Sequence, residues 1–201
     1  MSSSTPANPS NNQDKQNQDP TDHVSEIEER FKKRQNLLSS GINPYDYVYE
    51  SQHTCKEVSE TFKHLKEQER ADNSVSLRGR IVAKRGHGKA SFGNIQDHTG
   101  QIQTYISINT LEESLYQKWL NLDVGDIVGI TGIPFVTKRG QLSLDIQSYK
   151  LLTKSLRPLP EKYHGLQDKE LRYRQRYVDL IANPEVKDVF VLRAKATKAI
   201  R

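Results

Sequence analysis

The chain has 201 residues, of which 34% are hydrophobic, and its net charge is +5. Its single cysteine, Cys55, excludes an internal disulfide and a multi-thiolate metal cluster, and its six histidines show no paired spacing. No apolar run approaches the ~20 residues of a membrane span, and the N-terminus lacks the order of a signal peptide. We therefore expect a cytoplasmic protein with no membrane segment and no bound metal.

Positive charge is spread unevenly along the chain. Residues 151–201 carry twelve Lys or Arg against six Asp or Glu, which leaves the first 150 residues near neutral. Within those 150, five basic residues lie close together with no acid among them: Arg78, Arg80, Lys84, Arg85 and Lys89. Such a patch suits a polyanionic partner. Basic residues that merely solubilise an exposed face would give the same pattern.

The first 72 residues read as a tail followed by helices. Residues 1–21 are mostly Ser, Asn, Gln and Pro, which bury too little apolar surface to offset the entropy of ordering, so we predict a disordered tail. Residues 22–72 form a predicted helical segment. Apolar residues at helical spacing predict one helix over 22–39, and a weaker pattern predicts a second over 54–69.

Residues 73–153 change to the period of two that is typical of strands. A bent first strand is predicted around Gly79, where a bulge is tolerated. The stretches SFGNIQD and QIQTYISI predict a hairpin of strands two and three. Strands four and five follow at GDIVGITGIPFV and QLSLDIQSYKLL, and in the latter we expect Gln141, Ser143 and Asp145 to face outward.

A short helix is predicted between strands three and four. Thr110 and Glu113 have the spacing of a capping box, and Leu111, Leu115 and Trp119 lie four residues apart on one stripe that we expect to be barrel core. Three strands, a helix and two strands is the order of an OB-fold. The fold class that we predict is therefore mainly β, a five-stranded OB-fold barrel with N-terminal helices and a C-terminal helical hinge.

Phe92 has the outward parity of strand two, which places an aromatic ring among polar neighbours. Gln103 has the same parity on the facing strand, and Lys84, Arg85 and Lys89 are expected in the loop beside them. An aromatic ring flanked by cations suits a splayed base and its phosphate. A surface Phe covered by another part of the same chain is the alternative.

The run RPLPEKYHGL, followed by RYRQRYVDLI, resembles the hinge of class II lysyl-tRNA synthetases. GINPY at residues 41–45 and GKASF at residues 88–92 extend the resemblance. It implies that residues 73–153 are an anticodon-binding domain for lysine tRNA. It implies that residues 154–201 are the hinge and the start of a class II catalytic domain. The full-length enzyme would be a homodimer that attaches lysine to its tRNA with ATP and Mg²⁺.

The resemblance also implies the roles of individual residues. Phe92 would stack on the central uridine of the anticodon, while Arg85 and Gln103 would supply hydrogen bonds. A fourth family position is a Glu in TKxGELS, which here reads TKRGQLS, so Gln141 takes its place. A Gln both donates and accepts, whereas a carboxylate only accepts.

The segment VFVLRAKATKAIR resembles the opening helix of the family's catalytic motif 1, and no segment of the sequence resembles motif 2 or motif 3. We therefore expect no catalytic residues in this chain and no aminoacylation by it alone. A stand-alone OB-fold module that binds RNA or single strands, without ligase activity, remains the alternative. The basic segment ELRYRQR, residues 170–176, either pairs with neighbouring acids or contacts RNA, and we favour pairing.

Overall fold

The computed structural model describes residues 20–160 and 166–201. Most of the segment predicted to be disordered therefore lies outside the described residues, although Pro20 and Thr21 already belong to the first helix. In the described part, no helix is long and apolar enough to cross a membrane. The elements in chain order are α1 Pro20–Ser39, α2 Cys55–Thr61, β1 Val75–His87, β2 Ala90–Gln96, β3 Gln101–Ser107, α3 Glu113–Leu120, β4 Ile127–Val136, β5 Leu142–Thr153, α4 Lys169–Arg174, α5 Arg176–Ala182 and α6 Pro184–Ile200.

The five strands close into a barrel in the order β1-β2-β3-β5-β4, which confirms the predicted OB-fold. The long β1 pairs with β4 at its start and β2 at its end, and β3 and β5 run parallel. The register shift of β1 lies between Ile81 and Ala83, not at Gly79. A Cβ on Gly79 would approach Ile95 Cγ2 to 2.5 Å, so this glycine permits a close approach of strands.

Helix α3 packs into the barrel core, as the sequence predicts. Trp119 is fully buried in the barrel core and meets Tyr149 edge to face at 5.2 Å. Leu111 is buried and Leu115 packs against the same core. The predicted capping box is wrong, because the helix starts after Glu112 and Thr110 Oγ1 instead donates to the Ser107 carbonyl at 3.0 Å.

Helix α2 is shorter than predicted and ends at Thr61. The chain beyond it turns back to the edge of β4, where Gln68 N–H donates to the Val136 carbonyl and Ala71 N–H donates to the Pro134 carbonyl. Gln68 has a positive φ of 65°, which no helix accommodates. These strand-like contacts replace the last two turns of the predicted helix.

Two predicted outward positions of β5 are buried. Ser143 and Asp145 share the parity of Gln141, yet they are 0% and 2% exposed. The parallel pairing of β3 with β5, together with Arg70 from the returning chain, covers this part of the outer face. Strand alternation assigned the side correctly, but it does not show what packs over that side.

A buried ionic cluster joins α1 and the segment after β5 to the barrel. Lys154 Nζ lies 2.5 Å from Asp123 Oδ2 and 2.9 Å from both Asp126 oxygens. Lys33 Nζ on α1 donates to the other oxygen of Asp123 at 2.6 Å. The guanidinium of Arg30 donates to the carbonyls of Val124 and Ser155. We call Arg30, Lys33, Asp123, Asp126 and Lys154 the base cluster.

The basic segment at residues 170–176 is largely paired with acids, as the structural interpretation predicts. Arg172 and Arg176 both donate to the buried carboxylate of Asp179, and Arg174 pairs with Glu170. A hydrogen bond from Asn183 and those from the two arginines hold the pKa of Asp179 below its usual value. These bonds link α4, α5 and the start of α6.

Candidate nucleic-acid interface

The exposed ring of Phe92 follows directly from the alternation of β2. Ser91, Gly93 and Ile95 point into the barrel, whereas Phe92 points outward and is 39% exposed. Gly93 matters because a Cβ there would stand 3.0 Å from Thr104 Oγ1. Phe92 is therefore only partly covered by the described chain, which disfavours the alternative of a covered ring.

Four outward side chains lie in one line across four strands. Arg85 on β1 pairs with Phe92 on β2, which pairs with Tyr105 on β3, which pairs with Asp145 on β5. Neighbouring strands are about 4.8 Å apart, so the line is about 14 Å long. It begins with a cation and continues over two aromatic rings.

The aromatic part of this surface is larger than the sequence predicts. The rings of Phe92 and Tyr105 lie 5.0 Å apart between centroids at 51°, and Tyr105 meets Phe135 of β4 edge to face at 5.8 Å. We call Phe92, Tyr105 and Phe135 the aromatic row. Tyr105 was recognisable from its outward parity beside Gln103. Phe135 was not, since the sequence does not show that β4 lies two strands from β3 with Phe135 on the same outer face as Tyr105.

Gln103 lies one pair further along the same face. It pairs with Asn94 on β2 and with Ser143 on β5. Ser143 Oγ donates to Gln103 Oε1 at 2.7 Å, so the oxygen of the amide is occupied. Within the described residues no acceptor takes the amide N–H groups, which are left to donate to the edge of a base beside Phe92.

The three predicted cations separate into two groups. Arg85 and Lys89 are exposed; Arg85, which was expected in the loop, lies on β1 near its end, and Lys89 lies in the two-residue turn before β2. Lys84 is a correction, because its side chain leaves β1 on the opposite side. Its Nζ donates to the carbonyls of Trp119, Leu120 and Leu122 at the end of α3.

Burial lowers the pKa of Lys84 to about 8, against the raising effect of Asp123. An ammonium that is enclosed and bonded to three carbonyls is not available to a phosphate. Lys84 therefore belongs to the packing of α3 on the barrel and not to the interface. The other predicted strand cations, Arg78 and Arg80, also donate to backbone carbonyls, those of Tyr49 and Gly125.

Gln141 is exposed at the end of the β4–β5 turn, where Gly140 adopts a positive φ of 74°. Its amide nitrogen makes one long contact with the Leu142 carbonyl, at 3.4 Å. It lines a shallow cavity of about 370 Å³ together with Gln101 and Lys63. The structure thus puts Gln141 at the margin of the face, away from Phe92, while Arg85, Phe92 and Gln103 lie together.

Potential metal ligands are not clustered in the part of the chain that the structure describes. In that part of the chain, no three His, Cys, Asp or Glu side chains come close enough together to hold a metal ion. The acids nearest to the interface are committed elsewhere, since Asp145 pairs with Arg70 and Asp123 and Asp126 pair with Lys154. An exposed aromatic ring with a cation beside it is chemically able to stack on a base and neutralise a phosphate.

The barrel matches a known domain family. Residues 75–152 match the OB-fold nucleic acid binding domain of the tRNA anticodon-binding family. That range begins with β1 and stops one residue before the end of β5. The matched segment is the barrel that carries the aromatic row.

Individual relatives extend the likeness beyond the barrel. Over 175 residues, which are 87% of this chain and 35% of the relative, the chain is 50% identical to the lysine–tRNA ligase of Carboxydothermus hydrogenoformans. It is 49% identical over 174 residues to that of Halalkalibacterium halodurans and 48% identical over 172 residues to that of Moorella thermoacetica, covering 86% of this chain in both cases and 35% and 34% of the relatives. The chain spans about a third of the length of these relatives. The resemblance to lysyl-tRNA synthetases that the hinge motif indicates is thereby confirmed.

Proposed function

We propose that this chain is the anticodon-reading part of a lysine–tRNA ligase. The observation that supports it most is the Phe92 ring, exposed on β2, braced by Tyr105 at 5.0 Å and placed opposite Arg85. A base of the anticodon loop stacks on Phe92, the Gln103 amide donates to its edge, and Arg85 neutralises the adjacent phosphate.

The complete enzyme would attach lysine to its tRNA with ATP and Mg²⁺, in the cytoplasm and as a homodimer. We assign no step of this aminoacylation to the described residues. We expect the 201 residues to show no lysine-dependent ATP–pyrophosphate exchange. Exchange above that of a protein-free sample would contradict this assignment.

The direct test is binding of an RNA stem-loop with a UUU anticodon, measured by fluorescence anisotropy over a range of salt concentrations. We expect affinity to fall steeply with salt, because bound phosphates release counterions. A loop with a CCC anticodon should bind more weakly. Arg85→Ala should lower the affinity and reduce the salt slope by about one.

Lys150→Ala is the matched control, because Lys150 is also exposed but lies on the far part of β5. Its effect should be small by comparison with that of Arg85→Ala. Equal affinity for both anticodons would favour a general single-strand binding module. An affinity that does not change with salt would contradict the proposed contact with phosphates.

A further inference from the structure

We propose that the cavity between α1, α3 and β5 binds a small organic acid, with the apolar body of the acid against the apolar side chains of the cavity and its anionic group beside Lys118 and Lys33. This inference is separate from the proposed function, because no residue of the aromatic row lines the cavity. It gives the barrel a second ligand site, for a compound that is not a nucleic acid.

The cavity has a volume of about 620 Å³, which lies within the range of small-molecule sites. Helix α1 and the chain just after it, α3 and the chain just after it, and β5 all contribute to it. Six apolar side chains line it: Leu37, Ile42, Leu115, Leu122, Tyr149 and Leu151. A ligand with an apolar body is therefore able to exchange contact with water for contact with these side chains.

The apolar lining is continuous with the barrel core. Leu122 is buried in that core, and Leu115, Tyr149 and Leu151 pack against it. The Tyr149 hydroxyl donates to the Leu115 carbonyl at 2.7 Å, so its polar group is occupied and its ring offers an apolar surface. Because these side chains are already packed, a ligand does not have to order them, which lowers the cost of binding.

Lys118 is a cation without an acid. It is exposed in the last turn of α3, lines the cavity, and makes no ion pair or hydrogen bond with the described residues. The side-chain amides of Asn36 and Asn121 line the same cavity, and neither has a hydrogen-bond partner in the described chain. An ammonium with two amides beside it supplies the donors that a carboxylate requires.

Lys33 adds a second cation from α1. Its Nζ donates to Asp123 Oδ1 at 2.6 Å, and its side chain is 34% exposed. An ammonium has three N–H donors, so this contact leaves two of them for a ligand. The cavity thus has a cation from each of the two helices that line it.

Positive charge exceeds negative charge around this cavity. Four cations of the base cluster and its surroundings are balanced by only three acids: Arg30, Lys33, Lys84 and Lys154 against Glu26, Asp123 and Asp126. Asp46, which also lines the cavity, is paired with Lys150 at 2.6 Å. Burial is the main cause that lowers the pKa of Lys84 to about 8, and the charges of Lys33 and Lys154 add to that effect. A bound anion would offset this repulsion, so the site favours an acid over a neutral compound of the same shape.

The test uses cinnamate as the probe and cinnamyl alcohol as its uncharged match, each titrated into the whole chain by isothermal titration calorimetry. We expect cinnamate to bind with a Kd of about 1 mM or tighter, which is the range for a ligand of this size. Cinnamyl alcohol should bind about fivefold more weakly, because it gains nothing from the cations. Equal affinity for the two compounds, or no binding of cinnamate, would overturn the proposal.

The contact with the cation is tested by Lys118→Gln, which should weaken cinnamate binding about fivefold and leave binding of cinnamyl alcohol unchanged. Lys56→Gln is the matched control, because Lys56 is also a helical lysine, is 65% exposed and lies on α2, outside the cavity. It should change either affinity less than about twofold. If both variants weaken cinnamate binding equally, general attraction to a positive protein explains the binding and the proposed site is wrong.

Ile42→Ser removes an apolar contact and keeps every charge. Ile42 is 40% exposed, so the substitution should leave the fold intact, which thermal melting without ligand checks. It should weaken binding of cinnamate and of cinnamyl alcohol by similar factors, because the two compounds share the ring. Unchanged affinity for both would overturn the apolar part of the site.

The position of the ligand is tested by amide shifts in nuclear magnetic resonance spectra and by Phe92→Ala. Addition of cinnamate should shift the amides of Leu37, Leu115 and Leu151. An aromatic acid is also able to stack on Phe92, but Phe92→Ala should leave the cinnamate affinity unchanged, and the UUU stem-loop should not displace cinnamate. Loss of binding in Phe92→Ala, or displacement by RNA, would assign the compound to the aromatic row and overturn the second site. Failure of the stem-loop itself to bind would contradict the proposed function alone.

Discussion

The outer surface around the aromatic row, which we call the aromatic face, and the base cluster both contain lysine or arginine, but they use these residues in opposite ways. On that face, Arg85 is exposed across from Phe92, and Lys89 is exposed in the turn before β2. In the base cluster, Lys154 is buried between Asp123 and Asp126. The first arrangement leaves charge available to a ligand, and the second consumes it in holding α1 and the start of the hinge to the barrel. Clustering of basic residues in the sequence does not distinguish exposed cations from buried cations that are paired with acids.

The sharpest form of this contrast is between two consecutive residues of β1. Lys84 and Arg85 differ in role because successive side chains of a strand point to opposite sides. Lys84 caps the carbonyls at the end of α3, and Arg85 stands across from Phe92. The comparison predicts that substitutions in the base cluster change stability, whereas substitutions on the aromatic face change RNA binding.

The largest effect is expected for Lys154→Ala in the base cluster. The substitution leaves Asp126, which is fully buried, without its cation. Loss of one partner of a buried pair costs about 3–5 kcal/mol of the free energy of unfolding. Chemical denaturation measures this change, and RNA affinity per folded molecule should be unaltered. A variant with unchanged stability would show that the cluster does not hold the fold together.

The next effect is expected for two lysines five residues apart. Lys84→Met removes the ammonium that donates to three carbonyls and should lower the free energy of unfolding by about 1–3 kcal/mol. Lys89→Met removes an exposed cation from the turn beside Phe92 and should weaken RNA binding with little change in stability. Thermal melting measures the stability of both variants, and fluorescence anisotropy measures their RNA affinity. The contrast fails if Lys84→Met reduces affinity more than Lys89→Met does.

Phe92→Ala probes the face itself. Loss of a stacking ring should cost about 1–3 kcal/mol of RNA binding free energy. Stability should change little, since Phe92 is 39% exposed and lies outside the barrel core. A ring that was core would instead cost about 3–5 kcal/mol of stability. Urea denaturation and RNA titration of the same variant decide between the two.

Local alternation accounts for the part of this molecule that the sequence predicts. The strand positions, the β2–β3 hairpin and the outward parity of Phe92 and Gln103 all follow from a period of two, and the structure agrees. These features require only neighbours in the chain and one tight turn. The family resemblance then added roles to positions that parity had already singled out.

Contacts between distant segments account for what the sequence did not predict. Arg70 and Asp145 are 75 residues apart, and Lys84 reaches carbonyls more than 30 residues away. Neither contact leaves a periodic signal in the sequence. The shortened α2 has the same origin, since its predicted last turns pair with β4 instead. Lys84 was misassigned because its strand was taken for a loop, where alternation does not apply.

The smallest effect that we predict is on the pH dependence of stability, and it again distinguishes the base cluster from the aromatic face. Burial raises the pKa of Asp123, but hydrogen bonds from Lys154 and Lys33 outweigh it and hold that pKa below the usual value. As pH falls, the unfolded chain takes up this proton first, near pH 4. The stability that Asp123 contributes is therefore full above that pH and is lost as pH falls through the folded pKa.

Asp123→Asn has no such proton to bind, so its stability should depend less on pH between about pH 5 and pH 3 than that of the unmodified chain. The difference in unfolding free energy between the two should be largest near neutral pH and should narrow on acidification. Phe92→Ala is the comparison from the face. Because Phe92 does not titrate and lies outside the base cluster, its small difference from the unmodified chain should stay constant over the same range. Urea denaturation at each pH measures both differences, and a constant gap for Asp123→Asn would mean that the base cluster contributes nothing through this carboxylate.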